Sequence, residues 1–277
     1  MKNDEILIPH SMHKELLVLE RWTDQFPWLV AGFTTRHGGN SRDPFHSLNC
    51  GLHVGDHSED VVSNRRRLLQ LTGYAEQEWV SANQTHSDHL YHVQPTDGGK
   101  GLHTLDSALQ DIDGIFTDSP DLFLASFYAD CVPLFFLDPV KRIIGMAHAG
   151  WKGTLAQIGP KMIKEWQSKF QSDPDHILAV IGPSIGGCCY EVDESVIEAF
   201  LQVTDINEFV IPTNHRKYML DLKKCNVEFL KKAGLKGVNI EVSSWCTSCH
   251  VDLFYSHRKE QGRTGRMTAF MGKREEG

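Results

Sequence analysis

Short apolar runs rich in β-branched and aromatic residues recur along the chain at Trp28–Phe33, Leu122–Phe127, Val132–Leu137, Ile143–Ala147, Ile177–Ile181 and Val238–Val242. Each is strand-sized, and Gly, Pro or Asp bounds most of them, so each predicts a strand. Between these runs the apolar spacing lengthens to that of a helix. Ser58–Gly73 opens on a capping Ser and two acids, carries Val61, Val62, Leu68, Leu69 and Leu71, and stops at Gly. Thr154–Phe170 sets Ile158, Met162, Ile163 and Trp166 at helical spacing; Asp193–Phe200 and Asp221–Ala233, the latter closed by Gly234, follow the same pattern. No linker and no repeat divides the sequence, so one domain over 1–277 of α/β or α+β class is expected. The basic, glycine-punctuated stretch Arg258–Arg274 reads as a solvated edge or chain end, with Arg258, Arg263 and Arg266 as an alternative anion site.

Composition narrows the function classes. The 277 residues carry a formal charge of −8, with 40% hydrophobic and 23% charged residues, which is the make-up of an ordinary globular protein. The acidic balance argues against a general nucleic-acid binder. The start MKNDEILIPH has no apolar signal core and no stretch is long and apolar enough for a bilayer, so no membrane association is expected. Seven cysteines without a secretory signal imply reduced thiols and a cytoplasmic protein.

Together with 15 histidines, those cysteines supply the residue types of metal sites and nucleophiles. Three of them stand at the end of, or inside, apolar runs: His86 in Trp79-Val-Ser-Ala-Asn-Gln-Thr-His-Ser, Cys131 in Phe127-Tyr-Ala-Asp-Cys-Val-Pro-Leu, and His148 in Ile144-Gly-Met-Ala-His-Ala-Gly-Trp-Lys-Gly-Thr. Two imidazoles and one thiolate suffice for a catalytic Zn²⁺ with one position left to water. The same three residues also suit a metal-free pairing of a Cys131 nucleophile with a His148 base, and spacing equally allows buried structural roles. After His148 the chain enters a helix through Gly-Trp-Lys152-Gly, a candidate anion site without Walker spacing. Arg36 follows a strand exit and Asn49 lies in the second glycine-bearing segment, Ser47-Leu-Asn-Cys-Gly. Cys188-Cys189 read as buried thiols. Cys246-Thr-Ser-Cys249-His250 matches a haem-attachment pattern by coincidence, and a zinc ion there would need further ligands in space.

Taken together, the segments resemble the YfiH/YlmD family of laccase-like or polyphenol-oxidase-like proteins. The match rests on Phe-Thr-Thr-Arg36-His-Gly-Gly, Ser-Leu-Asn49-Cys-Gly-Leu-His-Val-Gly-Asp56, Asn64-Arg65, Gln84-Thr-His86, Asp113-Gly, Ala-Asp130-Cys131-Val-Pro, Ala-His148-Ala-Gly-Trp-Lys-Gly-Thr, Ile-Gly-Pro-Ser-Ile-Gly and Tyr190-Glu-Val, with Asp221-Leu, Cys246-Thr and Ser256-His-Arg258…Thr-Gly-Arg266 after them. It runs from about residue 29 to the C-terminus. Here Gln-Thr-His86-Ser stands where the family more often has Gln-Val-His-Gly.

The resemblance implies a single layered α/β/β/α domain similar to the catalytic domain of cytotoxic necrotising factors, with Zn²⁺ on His86, Cys131 and His148 and copper as an alternative occupant. It further implies phosphorolysis of purine nucleosides (adenosine, inosine, guanosine, methylthioadenosine) with adenosine deamination as a side activity. On motif position, Arg36, Arg65 and Lys152 become the expected phosphate ligands, and Arg36 and Asn49 join the trio as expected catalytic groups. Peptidoglycan-precursor editing by a metal-free Cys131/His148 amidohydrolase is the alternative. Polyphenol oxidation is weaker, because a multicopper oxidase commonly uses His-x-His pairs and this sequence has none.

Overall fold

A computed structural model describes residues 5–275. Its two main sheets explain the continuous apolar runs. The first sheet orders Ile8–Pro9, Leu16–Val18, Leu29–Thr34, Met267–Lys273, Leu122–Tyr128, Trp79–Asn83 and Leu109–Gln110 side by side. The second orders Ile240–Val242, Leu178–Ile181, Val132–Asp138, Ile143–Ala149, Gly114–Thr117 and Leu90–His92. Central pairs in both are antiparallel.

Side chains of the central strands alternate between two apolar layers, so both faces of these strands are buried and the usual polar–apolar alternation disappears. From the first sheet, Leu124, Tyr128, Met267 and Ala269 meet Phe135, Leu137, Ile144 and Met146 of the second in one core. On the outer side, Phe123, Ala125, Phe127 and Phe270 pack against Leu68 and Leu69 of the helix Ser58–Thr72. Leu134 and Phe136 of the second sheet face Ile158, Met162, Ile163 and Trp166 of Ile158–Phe170, and Phe229 and Leu230 of Leu222–Lys232. The layers are therefore helix, sheet, sheet, helix. A three-stranded sheet, Glu191–Asp193, Lys217–Leu220 and Val210–Pro212, joins this outer layer with the helix Glu194–Leu201.

Several sequence expectations change. Thr154–Phe170 is broken: Trp151–Leu155 ends, Gln157 takes φ +58°, and a new helix starts at Ile158. Ser58 is the first helical residue and makes no cap hydrogen bond, the cap position falling to His57. Gly73 does close that helix, at φ +73°. Most of Val238–Val242 shortens to Ile240–Val242 after a 3₁₀ turn. The largest correction is the basic tail: Met267–Lys273 is fully buried between two strands of the first sheet, so its flanking arginines are anchored rather than solvated as a loose end. No described helix is long and apolar enough to cross a membrane.

Candidate active site

The site forms where strand ends from the two sheets converge. Cys131 immediately precedes Val132–Asp138, and His148 lies near the end of the adjacent antiparallel strand, where His148 pairs with Pro133 and Ala149 with Val132. This register alone brings the thiol and imidazole together. His86 arrives from the other sheet, three residues beyond Trp79–Asn83. The three ligand-capable atoms lie within 4.8 Å of one another, with Cys131 Sγ 3.9 Å from His86 Nε2.

Asp113 organises both histidines. Its carboxylate accepts from His148 Nδ1 at 2.7 Å, which leaves His148 Nε2 for the cluster. It also accepts the backbone N–H groups of Thr85, His86 and Ser87 and the Ser87 hydroxyl at 2.8–3.1 Å. Those bonds hold His86 at φ +63°, a backbone conformation uncommon for a residue with a side chain. Gly150 completes the cradle, because a Cβ there would lie 3.0 Å from Cys131 Sγ and 3.2 Å from His86 Cδ2. A carboxylate-oriented imidazole, a second imidazole and a thiolate, one face of which is open, match the donor chemistry of a catalytic zinc site.

The charges reinforce one another. Burial raises the Cys131 thiol, but His148 and His86 outweigh it and bring its pKa to about 6. Burial depresses His148, whereas Cys131 and Asp113 raise it to about 9. For Asp113, burial works against the charge, yet His148 and Ser87 hold its pKa down at about 2 against an ordinary 3.8. Because its folded-state value lies below the unfolded one, Asp113 stabilises the fold fully above pH 4 and loses that contribution as pH falls toward 2. Urea unfolding at stepped pH should show the advantage of wild type over Asp113→Asn shrinking through this window; a gap that widens on acidification would contradict the assignment.

The trio opens on a cavity of about 370 Å³. Phe127, Ala129 and Tyr190 form apolar wall, while Gln84, His53, His257, Arg258 and Arg266 supply polar groups. Arg258 stacks over the Tyr190 ring at 5.1 Å and donates to Glu191 O. Partial burial and the nearby Arg266 charge lower the pKa of His257. Asp130, at φ +82°, ties the rim together: its carboxylate accepts from the Thr247 and Ser256 hydroxyls and the Arg258 N–H.

The cations expected at phosphate do not line this cavity. Arg36 spends its guanidinium on the carbonyls of His46, Val251 and Phe254 and on Glu260. Arg65 is fully buried, donating to the carbonyls of Cys50, Gly101 and Leu102. Lys152 is exposed on a helix of only five residues, above its neighbour Trp151. Asn49 is likewise buried behind the wall, where its Oδ1 accepts the Arg266 N–H. Arg258 and Arg266 take the cavity positions instead. Their signal was present in the basic tail, and Asp113 was visible as an Asp-Gly pair without a role.

Cys188 and Cys189 are not the buried thiols expected: the first is exposed and the second half-buried. They meet Cys246 and Cys249, so the Cys-x-x-Cys half-motif does find its further partners in space.

Residues 30–274 match the family described as multi-copper polyphenol oxidoreductase laccase. The purine nucleoside phosphorylase YlmD of Bacillus subtilis (strain 168) is 48% identical over 248 residues, 89% of each chain. The chain belongs to the YfiH/YlmD family. Among solved members, the Bacillus licheniformis hypothetical protein YfiH superposes with a TM-score of 0.92 at 43% identity, covering 96% of this chain and 98% of that one. YlmD from Geobacillus stearothermophilus gives 0.92 at 40% identity, covering 98% and 100%. The layered YfiH/YlmD fold and the His86/Cys131/His148 group thus occur here in one molecule.

Proposed function

We propose that this chain is a zinc-dependent purine nucleoside phosphorylase whose reaction takes place in the cavity beside His86, Cys131 and His148. One observation carries the reading: a single cavity of about 370 Å³, within the range usual for small ligands, combines an oriented His/Cys/His group with two arginines and an aromatic wall. The phosphorylase names of relatives that align over most of the chain support the same substrate class.

Arg258 and Arg266 bind phosphate through charge-assisted hydrogen bonds, and Phe127 and Tyr190 face the purine. A phosphate oxygen forms the bond to C1′ as the bond from C1′ to the purine nitrogen breaks. Neutral His257 accepts the proton of hydrogen phosphate and returns it to the departing base, so no other reactant is consumed. Bound to His86, Cys131 and His148, Zn²⁺ would supply Lewis-acid polarisation and, for adenosine deamination, a water of lowered pKa. Arg36, Arg65 and Asn49 act from behind the wall.

Incubation with inosine, with and without phosphate, tests this directly. Free base together with sugar phosphate, formed only when phosphate is present, is expected; base released equally without phosphate makes the enzyme a hydrolase. Adenosine converted to inosine would register the side activity. Arg258→Ala and Arg266→Ala should each raise the phosphate KM about 10–100-fold, the loss of one charged hydrogen-bonding partner. Lys152→Ala should leave it unchanged, and the reverse ranking would sink this assignment of the phosphate site.

The acidic Cys131 beside His148 and Asp113 favours one other reading, a metal-free thiol amidohydrolase. Rapid alkylation of Cys131 in metal-free, fully active protein would select it. The copper-oxidase reading has less support: among the described residues the His/Cys groups are one mixed trio and one all-thiolate cluster, not several histidine-rich centres.

A further inference from the structure

We propose that Cys188, Cys189, Cys246 and Cys249 form a second, structural metal site that binds Zn²⁺ as a tetrathiolate. Nothing in this proposal depends on the nucleoside chemistry. The geometry comes first. A tetrahedral zinc with bonds of about 2.3 Å separates its sulfurs by roughly 3.8 Å. Here Cys188 Sγ lies 3.8 Å from Cys189 Sγ and 3.7 Å from Cys249 Sγ, Cys189 Sγ lies 3.4 Å from Cys249 Sγ, and all four sulfurs fall within 4.8 Å of one another. Each thiol thus has several sulfur neighbours at similar range. That is the pattern of a coordination polyhedron; disulfides would draw the sulfurs into two close pairs.

The surrounding chain is shaped for the same purpose. The Gly186 N–H points at Cys246 Sγ at 3.2 Å, a donor suited to a metal-bound thiolate. A Cβ on Gly186 would lie 3.3 Å from Cys188 Sγ and 3.5 Å from Cys246 Cβ, so the loop approaches the sulfurs more closely than a side chain would comfortably allow. Buried Lys223 fixes its ammonium on the carbonyls of Ser243 and Trp245, just ahead of Cys246, adding positive charge and rigidity beside the thiolates. His250 lies outside the group of four mutually close donors, and its Nδ1 donates to Cys246 O at 3.0 Å. On binding, four Cys–SH bonds break, four Zn–S bonds form and four protons leave to solvent.

The site staples two loops that have no other covalent tie. Residues 182–190 follow the strand Leu178–Ile181, and the turn at Cys246–His250 leads toward the Ser256–Arg258 rim. Beside the thiols, the Ser184–Cys246 bridge links their backbones through the Thr247 N–H to Ser184 O bond. Since Tyr190 follows Cys189 directly and carries Arg258 on its ring, the staple also steadies one wall of the cavity.

The test counts metal. The full chain carrying His86→Ala, Cys131→Ala and His148→Ala together is purified under reducing conditions without added metal and analysed by elemental mass spectrometry. One zinc per chain is expected to remain, and adding Cys246→Ser with Cys249→Ser should remove it and lower Tm. Should that last variant fail to fold, Co²⁺ exchange into the triple variant still decides, since a tetrathiolate gives intense sulfur-to-cobalt charge-transfer bands. Absence of zinc from the triple variant, with all four thiols reacting freely in the folded protein, overturns the proposal. So does iron in place of zinc at these thiolates.

Discussion

Replacing Cys131 with Ala should lower kcat/KM for phosphate-dependent release of purine base by at least about 10³-fold, more than the loss of one preorganised donor alone. The thiolate is the only sulfur in the trio, and its charge, together with the Asp113 carboxylate, lifts His148 to a pKa of about 9. Without it two imidazoles remain, too few to hold the proposed zinc firmly, and His148 keeps only Asp113, at 2.7 Å, as a counter-charge. The fold should persist. Cys131 is half-buried and small, and the strand register that positions it involves only backbone. Steady-state kinetics with inosine, combined with zinc content and Tm, checks all three parts. Activity within tenfold of wild type, at unaltered stability, would remove Cys131 from the chemistry.

Arg65→Ala should produce the opposite profile: a folding defect of about 3–5 kcal/mol with little specific effect on phosphate affinity in whatever protein remains folded. Arg65 is 1% exposed, stacked over the Phe127 ring at 4.5 Å and over Trp79 at 5.4 Å, and its guanidinium satisfies three backbone carbonyls. Burial lowers its pKa only to about 10, so it stays charged at neutrality. Truncation removes the guanidinium from those carbonyls, of which Gly101 O keeps the Ser81 hydroxyl, and opens a void beside two aromatic rings. For a chain of this size that corresponds to a fall in Tm of about 5–9 °C. Differential scanning calorimetry measures it. An unaltered Tm with a raised phosphate KM would return Arg65 to the role its motif position first suggested.

Cys131 and Arg65 differ in how far the sequence conveys their roles. His86, Cys131 and His148 were legible because each sits at or near the end of a strand-sized apolar run, and strand ends are rigid yet open to a cleft. The layered class was legible too, since uninterrupted runs such as Val132–Leu137 imply strands covered on both faces. What spacing could not convey was which way a guanidinium turns. Arg36 and Arg65 lie in family-like segments but spend their guanidinium groups on backbone carbonyls, several of them from distant segments. Arg258 and Arg266, which the sequence offers only as an alternative anion site within the basic tail, face the cavity because the buried strand after them pins the chain. Cys188 and Cys249 are 61 residues apart, and the pairing of Ser184 with Cys246 brings their loops together. The break at Gln157 was hidden because a left-handed Gln has no sequence signature comparable to Gly73.

The position of Met267–Lys273 carries a consequence for how the molecule is made. This late segment is the bridge between Leu29–Thr34 and Leu122–Tyr128, so the first sheet stays in two unjoined pieces until a ribosome has delivered residue 273. Until then Leu29–Thr34 is paired only with Leu16–Val18 and Leu122–Tyr128 only with Trp79–Asn83, each with one edge open, and the sheet that brings His86 to the trio is incomplete. Activity can therefore arise only after translation of the whole region, and any product that stops short of this strand is left with exposed sheet edges and no assembled centre.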